Sequence, residues 1–289
     1  MTARITSPVR EEVKLPMSTT VRRPHSTICI RPRTTWVTAL VGVLMIQCLV
    51  ACGGSDGTPA ATAPVVVSTS GDISAGVRQF RALLGDPDNA GVPGQQPSGR
   101  RELNWDAVPD AQAAPNFLPP DFFNDTVAPR ARGAVLNTPG TGVQVSADSD
   151  NPSGAAVRFG NINPAYTSTF KTYSAERLFS PIGSNIVNLT FFVAGTQTPA
   201  VVRGFGAVYT DVDGGSSSFE YFDRNDRSLG RFRVPPSNGG LSFLGVAFPT
   251  AVVARVHIIY GTSALGPNEG PGVDVAVMDD FLFGEPEPQ

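Results

Sequence analysis

From Arg100 onward, apolar and polar positions alternate in short runs separated by turn residues. Residues 186–193 set Val187, Leu189, Phe191 and Val193 against Ile186, Asn188, Thr190 and Phe192, the period of two that strands impose. Runs of similar texture predict strands at 133–136, 143–146, 155–159, 201–211, 218–223, 229–234, 241–248 and 252–260. The spacers are turn formers: Asp213-Gly214-Gly215, Asn225-Asp226 and Pro235-Pro236-Ser237-Asn238-Gly239. Near the start of this region Leu103, Trp105 and Val108 read as an inner face, and Glu102, Asn104 and Asp106 alternate with them on the other. Residues 115–124, with four large apolar side chains among three prolines, read as an extended loop packed on the domain. Helical spacing stands out once, in Val77, Phe80, Leu83 and Leu84, opened by Ser74 and closed by Gly85. The pattern predicts an all-β, antiparallel β-sandwich over 99–286, preceded by a short N-terminal helix and loop at 73–98 and followed by a tail at 287–289.

The last predicted strand, 273–283, carries the strongest chemical signal. Its odd positions place Val273, Val275, Val277, Phe281 and Phe283 on one face. Asp279 interrupts that row, and Asp280 sits beside it on the other face. A core-facing carboxylate is costly unless a partner or a metal neutralises it.

The first third of the chain has a different texture. A basic segment with Arg22, Arg23, Arg31 and Arg33 precedes a mostly apolar run, 36–51, too short for the ~20 residues of a membrane span. That order is the pattern of a secretory signal. Leu49-Val50-Ala51-Cys52 at its end resembles the bacterial lipobox. The resemblance implies that residues 1–51 are a lipoprotein signal peptide and that Cys52 is lipidated. It also implies a bacterial protein fixed to the cell envelope by acyl chains. Gly53 after the cysteine, in place of the aspartate that marks inner-membrane retention, implies the outer membrane. Residues 52–72 are rich in Gly, Ser, Thr, Ala and Pro and predict a flexible tether.

Composition narrows the chemistry. Residues 1–51 hold seven basic and two acidic residues, leaving 15 basic against 23 acidic beyond them, a net charge of about −8. No basic cluster suits nucleic acid. Cys29 and Cys48 fall within the signal and Cys52 goes to lipid, so the domain has no cysteine for a disulfide, a zinc site or a thiol nucleophile. His257, the one histidine after the signal, lies in a strand-like run and reads as structural.

Several segments together resemble a domain that recurs in exported bacterial proteins. They are Gly99-Arg100-Arg101-Glu102-Leu103-Asn104-Trp105-Asp106, Phe179-Ser180-Pro181-Ile182-Gly183-Ser184-Asn185, Gly204-Phe205-Gly206-Ala207-Val208, Thr210-Asp211-Val212-Asp213, and Met278-Asp279-Asp280-Phe281 with Gly284-Glu285-Pro286. Phe243-Leu244-Gly245-Val246 and the Asp-Asp-Phe strand are also similar to jelly-roll domains of exosortase-sorted surface proteins. A looser resemblance is to carbohydrate-binding jelly rolls, in which acids near the first strand and an aspartate near the last share a structural calcium. It implies a jelly-roll-like sandwich and a calcium set of Glu102, Asn104, Asp106, Asp279 and Asp280. Side-chain oxygen there would go toward the six to eight ligands that calcium takes. The other reading pairs Asp279 or Asp280 with Arg100 or Arg101.

Binding outweighs catalysis on this sequence. Glu102 and Asp106, four apart on a presumed strand, stand ~13 Å apart, beyond the ~5 Å of a retaining glycosidase pair. A Ser-His-Asp triad would have to use His257, which reads as structural. Asp211-Val212-Asp213-Gly214 has part of a calcium-loop pattern but lacks its downstream Glu, and reads as a solvated exit from a strand. Tyr166, Tyr173, Tyr209, Tyr221 and Phe222 are the aromatics that could stack on sugar rings, although strand spacing makes each of them a core residue first. The expected function is non-catalytic binding of a glycan or other cell-surface ligand, with a structural or protein-interaction role as the alternative.

Overall fold

A computed structural model describes residues 63–267 and 270–289. In chain order the elements are β1 (Val65–Ser70), α1 (Ser74–Leu84), β2 (Arg100–Leu103), β3 (Ala134–Asn137), β4 (Gly142–Val145), α2 (Tyr166–Thr169), β5 (Phe179–Ile182) and β6 (Ile186–Phe191). There follow β7 (Ala200–Val201), β8 (Gly204–Val212), β9 (Ser218–Phe222), β10 (Ser228–Arg233), β11 (Ser237–Ala247), β12 (Arg255–Ile259), β13 (Val277–Gly284) and β14 (Glu287–Pro288). A seven-stranded sheet runs β1-β11-β8-β13-β5-β4, with β2 also paired to β13. A five-stranded sheet runs β10-β9-β12-β6-β3. Every strand pair is antiparallel.

The two sheets form a sandwich around one apolar core. Phe205, Ala207, Tyr209, Leu244, Val246 and Phe281 come from the larger sheet, and Leu136, Leu189, Phe191, Phe219, Tyr221 and Val256 from the smaller. The larger sheet is covered on its other side too. Val77, Phe80 and Leu84 of α1 pack there on Val208, Phe243 and Leu282. Gly206 and Gly245 face each other across β8 and β11 and form the seat for the Phe80 ring. A Cβ at either position would stand within 2.7 Å of that ring. Burial on both faces explains why β8 and β13 are buried at every position, although each contains polar residues.

Several expectations are corrected. Residues 65–70, placed in the tether by composition, are strand β1, paired in register from Val65↔Ala247 to Ser70↔Ser242. Only Val67 of this strand is buried, so main-chain pairing rather than apolar alternation makes it a strand. Residues 155–159 are not a strand: Arg158 and Phe159 are consecutive residues with left-handed φ values, 52° and 62°, and they turn the chain there. Trp105 leaves the strand and opens a 3-10 turn, Trp105–Ala107, so Asp106 does not share a strand with Glu102. Glu287 and Pro288, assigned to the tail, pair with Val201 and Ala200.

The most consequential correction lies in β13. Met278 pairs with Tyr209 and Phe281 with Ala207, so Asp279 and Asp280 together oppose Val208. This β-bulge reverses which face each later side chain takes. Met278, Phe281 and Phe283 therefore enter the central core, while Val275 and Val277 belong to a separate cluster with Phe159, Tyr166 and Phe170. The single apolar row expected along this segment is divided at its two carboxylates.

Candidate functional site

A polar cleft of about 690 Å³ opens where five separate segments converge. Asp211 comes from the end of β8, and Asp213, Gly214, Gly215 and Ser216 from the turn after it. Asn238 comes from the start of β11, Thr262 from the segment after β12, residues 270–274 from the approach to β13, and Thr169 from α2. Asp274 holds the turn in shape. Its carboxylate accepts the backbone N–H groups of Asp213 (3.3 Å) and Gly214 (3.4 Å) and the Ser216 hydroxyl (2.8 Å). Its own backbone N–H donates to the Thr262 hydroxyl oxygen at 2.9 Å, and its carbonyl accepts the Thr262 N–H at 2.8 Å. Asn238 donates its amide to Asp213, and Gly239 N–H donates to Asp211 at 2.7 Å.

Asp211 is buried, with a left-handed φ of 63°, so the Asp211–Gly214 segment is not simply a solvated strand exit. The cleft wall therefore offers carboxylate, amide and hydroxyl groups on a frame of short hydrogen bonds. Among the described residues no lysine or arginine lines it.

The five residues named as a calcium set are distributed differently. Glu102 accepts Nε and Nη2 of Arg81 (2.9 and 2.6 Å) and Nε of Arg100 (2.6 Å). Burial pushes its carboxyl up, but the two guanidiniums outweigh that and hold it below the ordinary glutamate range. Asp106 accepts the Arg177 backbone N–H at 2.9 Å. Asn104 donates to Ser174 Oγ at 3.1 Å. Asp279 and Asp280 are the pair brought together, and Ser174 Oγ lies 3.1 Å from Asp279 Oδ1 and 2.9 Å from Asp280 Oδ1. Asp279 Oδ2 accepts N–H groups from Tyr173 (2.6 Å) and Ser174 (3.3 Å).

Among the described residues no three His, Cys, Asp or Glu side chains gather to hold a metal. Glu102 is given over to two arginines, and of the other four only Asp279 and Asp280 share a partner carboxylate to carboxylate, through Ser174 Oγ.

The expected ion pair takes another form as well. Arg100 is bound to Glu102 and Asp86, and Arg101 to Glu285, with neither at Asp279 or Asp280. Arg101 is fully buried, donating Nε to Glu285 Oε2 at 2.8 Å and Nη2 to Oε1 at 2.7 Å. Its remaining N–H groups reach the carbonyls of Ala90, Val92, Gly94 and Ala131. Glu285 escaped the sequence reading because it follows the apolar run rather than interrupting it.

The stacking aromatics are largely core. Tyr166, Tyr209 and Tyr221 are buried, with hydroxyls donating to the carbonyls of Gly266, Ile259 and Phe205. Phe222 lies beneath the Arg255 guanidinium, 3.8 Å from the ring centre, and Tyr173 is half-buried beside the α1 cluster. His257 contacts Asn188 Oδ1 at 3.0 Å, and burial and Arg255 lower its pKa. Residues 1–51, Cys52 and the beginning of the tether lie outside the described residues. Among the described residues no helix is long and apolar enough to cross a membrane.

Fold and site together define an antiparallel β-sandwich with a polar cleft at the converging ends of its strands. No known protein family and no curated protein matches the sequence. Among solved structures, the chain is similar to a glycoside hydrolase family 43 arabinoxylan arabinofuranohydrolase from Bacillus subtilis in complex with cellotetraose. The identity there is 18% and the TM-score 0.25, over 41% of this chain and 23% of that one. It is also similar to the enzymatically active domain of tailspike protein 4 of Bacteriophage CBA120, at 14% identity and a TM-score of 0.26, over 57% of this chain and 20% of that one. The chain thus aligns with about a fifth of the length of each, and neither likeness says what it does.

Proposed function

We propose that this chain is a lipid-anchored, extracytoplasmic binding module whose 690 Å³ cleft takes a polyhydroxylated ligand, a glycan, without cleaving it. The observation that carries this reading is the cleft wall. Asp211, Asp213, Asn238, Ser216 and Thr262 offer acceptors and donors of the kind that pair with sugar hydroxyls. Restraint of the carboxylates supports binding over catalysis. Asp274 has both oxygens committed to the 213–216 turn, whereas a glycosidase needs two carboxyl groups free to face one bond. The anchor rests on Leu49-Val50-Ala51-Cys52 after an apolar run.

The test is a polysaccharide panel, with affinity measured calorimetrically on the full chain. At least one glycan should bind, and Asp213→Ala should weaken it by about tenfold or more, the worth of a hydrogen bond to a charged group. Its Tm should stay within a few degrees. Absence of binding across the panel overturns the reading, and release of reducing sugar overturns its non-catalytic part. For the anchor, palmitate labelling should disappear in Cys52→Ser, and label surviving that change refutes it.

A further inference from the structure

An outer strand of a sandwich presents a row of main-chain N–H and C=O groups unless something covers it. Here the outer strands are β1 and β4 of the larger sheet and β10 and β3 of the smaller. Three of these edges are closed or guarded. β3 gives the N–H groups of Ala134 and Leu136 to the carbonyls of Phe123 and Pro120. On β4 the carbonyls of Val143 and Val145 accept the N–H groups of Leu118 and Ala114. β10 shifts register between Ser228 and Gly230 and exposes Arg231 and Arg233, a bulge and charges that deter a further strand.

β1 has no such protection among the described residues. Gly71 N–H donates to the Leu241 carbonyl at 2.9 Å, in the same register that pairs Val65 with Ala247. Bonded pairs alternate along an antiparallel ladder, so Val65, Val67 and Thr69 spend their main-chain groups on β11. Those of Val66, Ser68 and Ser70 point away from the sheet, and no described residue outside β11 pairs with this strand. Val65 and Val66 are 46% and 44% exposed. From Gly57 to Gly71 the sequence has no charged residue.

We propose that β1 is a self-association edge, on which a second copy of this chain lays its own β1 antiparallel. The outward groups set the register. A two-fold axis through Ser68 places Ser68 opposite its counterpart and Val66 opposite Ser70 of the other copy. Each outward pair then exchanges two main-chain hydrogen bonds. The same register puts Asp72 opposite Pro64, so no like charges meet across the contact. That self-complementarity is what selects a second copy as the occupant. The axis stands normal to the sheet, so the two seven-stranded sheets join edge to edge with both α1 helices on one side. Neither the cleft nor the lipid takes part, so loss of this contact leaves the glycan reading untouched.

The test is sedimentation velocity on the full chain carrying Cys52→Ser, so that no acyl chain drives association. Rising concentration should convert monomer to dimer. Ser68→Lys and Ser68→Glu each set like charges opposite one another at the axis and should weaken the dimer by about fivefold. Mixing the two variants should restore it as a heterodimer, which only a contact of position 68 with itself allows. Ser68→Pro removes the central N–H from both copies while leaving the ladder to β11 whole, and should give monomer alone. An independent readout needs no affinity: oxidation of Ser68→Cys should link position 68 of one copy to position 68 of another in peptide mass spectra. Monomer at every concentration overturns the inference. So does association that the Ser68 variants leave unchanged, because another surface then carries it. A Lys and Glu mixture no tighter than either variant alone, or a missing link at position 68, overturns it even if Ser68→Pro fails to fold.

Discussion

The two ends of β13 handle buried negative charge differently. Just past its C-terminal end, Glu285 meets the fully buried guanidinium of Arg101 in a two-pronged pair, and four carbonyls take up the remaining N–H groups. At the bulge, Asp279 and Asp280 meet each other and a serine. Both arrangements tie early segments to the last strand. The first satisfies charge with opposite charge and fixed geometry. The second leaves a net negative charge that burial disfavours, so its strength depends on proton concentration.

The comparison is broken most severely at Arg101. Arg101→Ala strands Glu285 in a buried site and removes donors from four loop carbonyls. The expected cost is about 3–5 kcal/mol, the range for a buried pair that loses one partner. For a domain of this size that is a Tm drop of roughly 10 °C or more, measurable by calorimetry. A loss below about 1 kcal/mol would show that water repairs the site and that this end is not the firm one.

Matched neutralisations sharpen the contrast. Glu285→Gln leaves Arg101 charged and buried without a counter-ion, and should lower Tm clearly at pH 7. Asp279→Asn removes no opposite charge and relieves a like-charge contact, so its Tm at pH 8–9 should equal or exceed that of the wild type. Equal destabilisation by the two changes would mean that the bulge hides an unrecognised cation.

The pH dependences have opposite signs. Asp279 is raised from 3.8 to about 8, so the folded state holds its proton more tightly than the unfolded chain. The stability linked to it is fully present below about pH 4 and is lost as pH rises toward and through 8. Glu102, held below its ordinary value by Arg81 and Arg100, contributes stability that is present above its unfolded value and lost on acidification. Melting curves should therefore show Glu102→Gln flattening the acid limb and Asp279→Asn flattening the limb from neutral to alkaline. Either variant flattening the other limb would reverse the assignment.

Much of this fold is legible from alternation, because most strands bury one face and show it. Strand β6 and helix α1 appear where their apolar spacing puts them, the strand within one or two residues of its predicted end. Strand β1 was hidden because it buries one side chain in six, and β5 because Pro181 sits inside it. The Asp279-Asp280 pair was visible as a break in an apolar row, but the parity change was not, since a bulge is defined by its partner strand. Glu285 and the cleft were hidden for a related reason. The cleft draws on residues 169, 211, 213–216, 238, 262 and 270–274, which only the folded chain brings together.

The finest distinction lies at Ser174. Its hydroxyl stabilises the ionised form of both acids, and so works against burial at Asp279 and Asp280. Ser174→Ala removes that effect and leaves the Tyr173 and Ser174 N–H groups on Asp279 Oδ2. The cost in stability at pH 6 should be about 1 kcal/mol, the net worth of one hydrogen bond. The alkaline loss should then move to higher pH, because the neutral acid is no longer disfavoured by a donor to its anion. Asp279→Asn abolishes the same transition, so the two variants separate a titrating carboxyl from a serine that merely fills space. A transition shifted to lower pH in Ser174→Ala would mean that the hydroxyl accepts from the protonated acid instead.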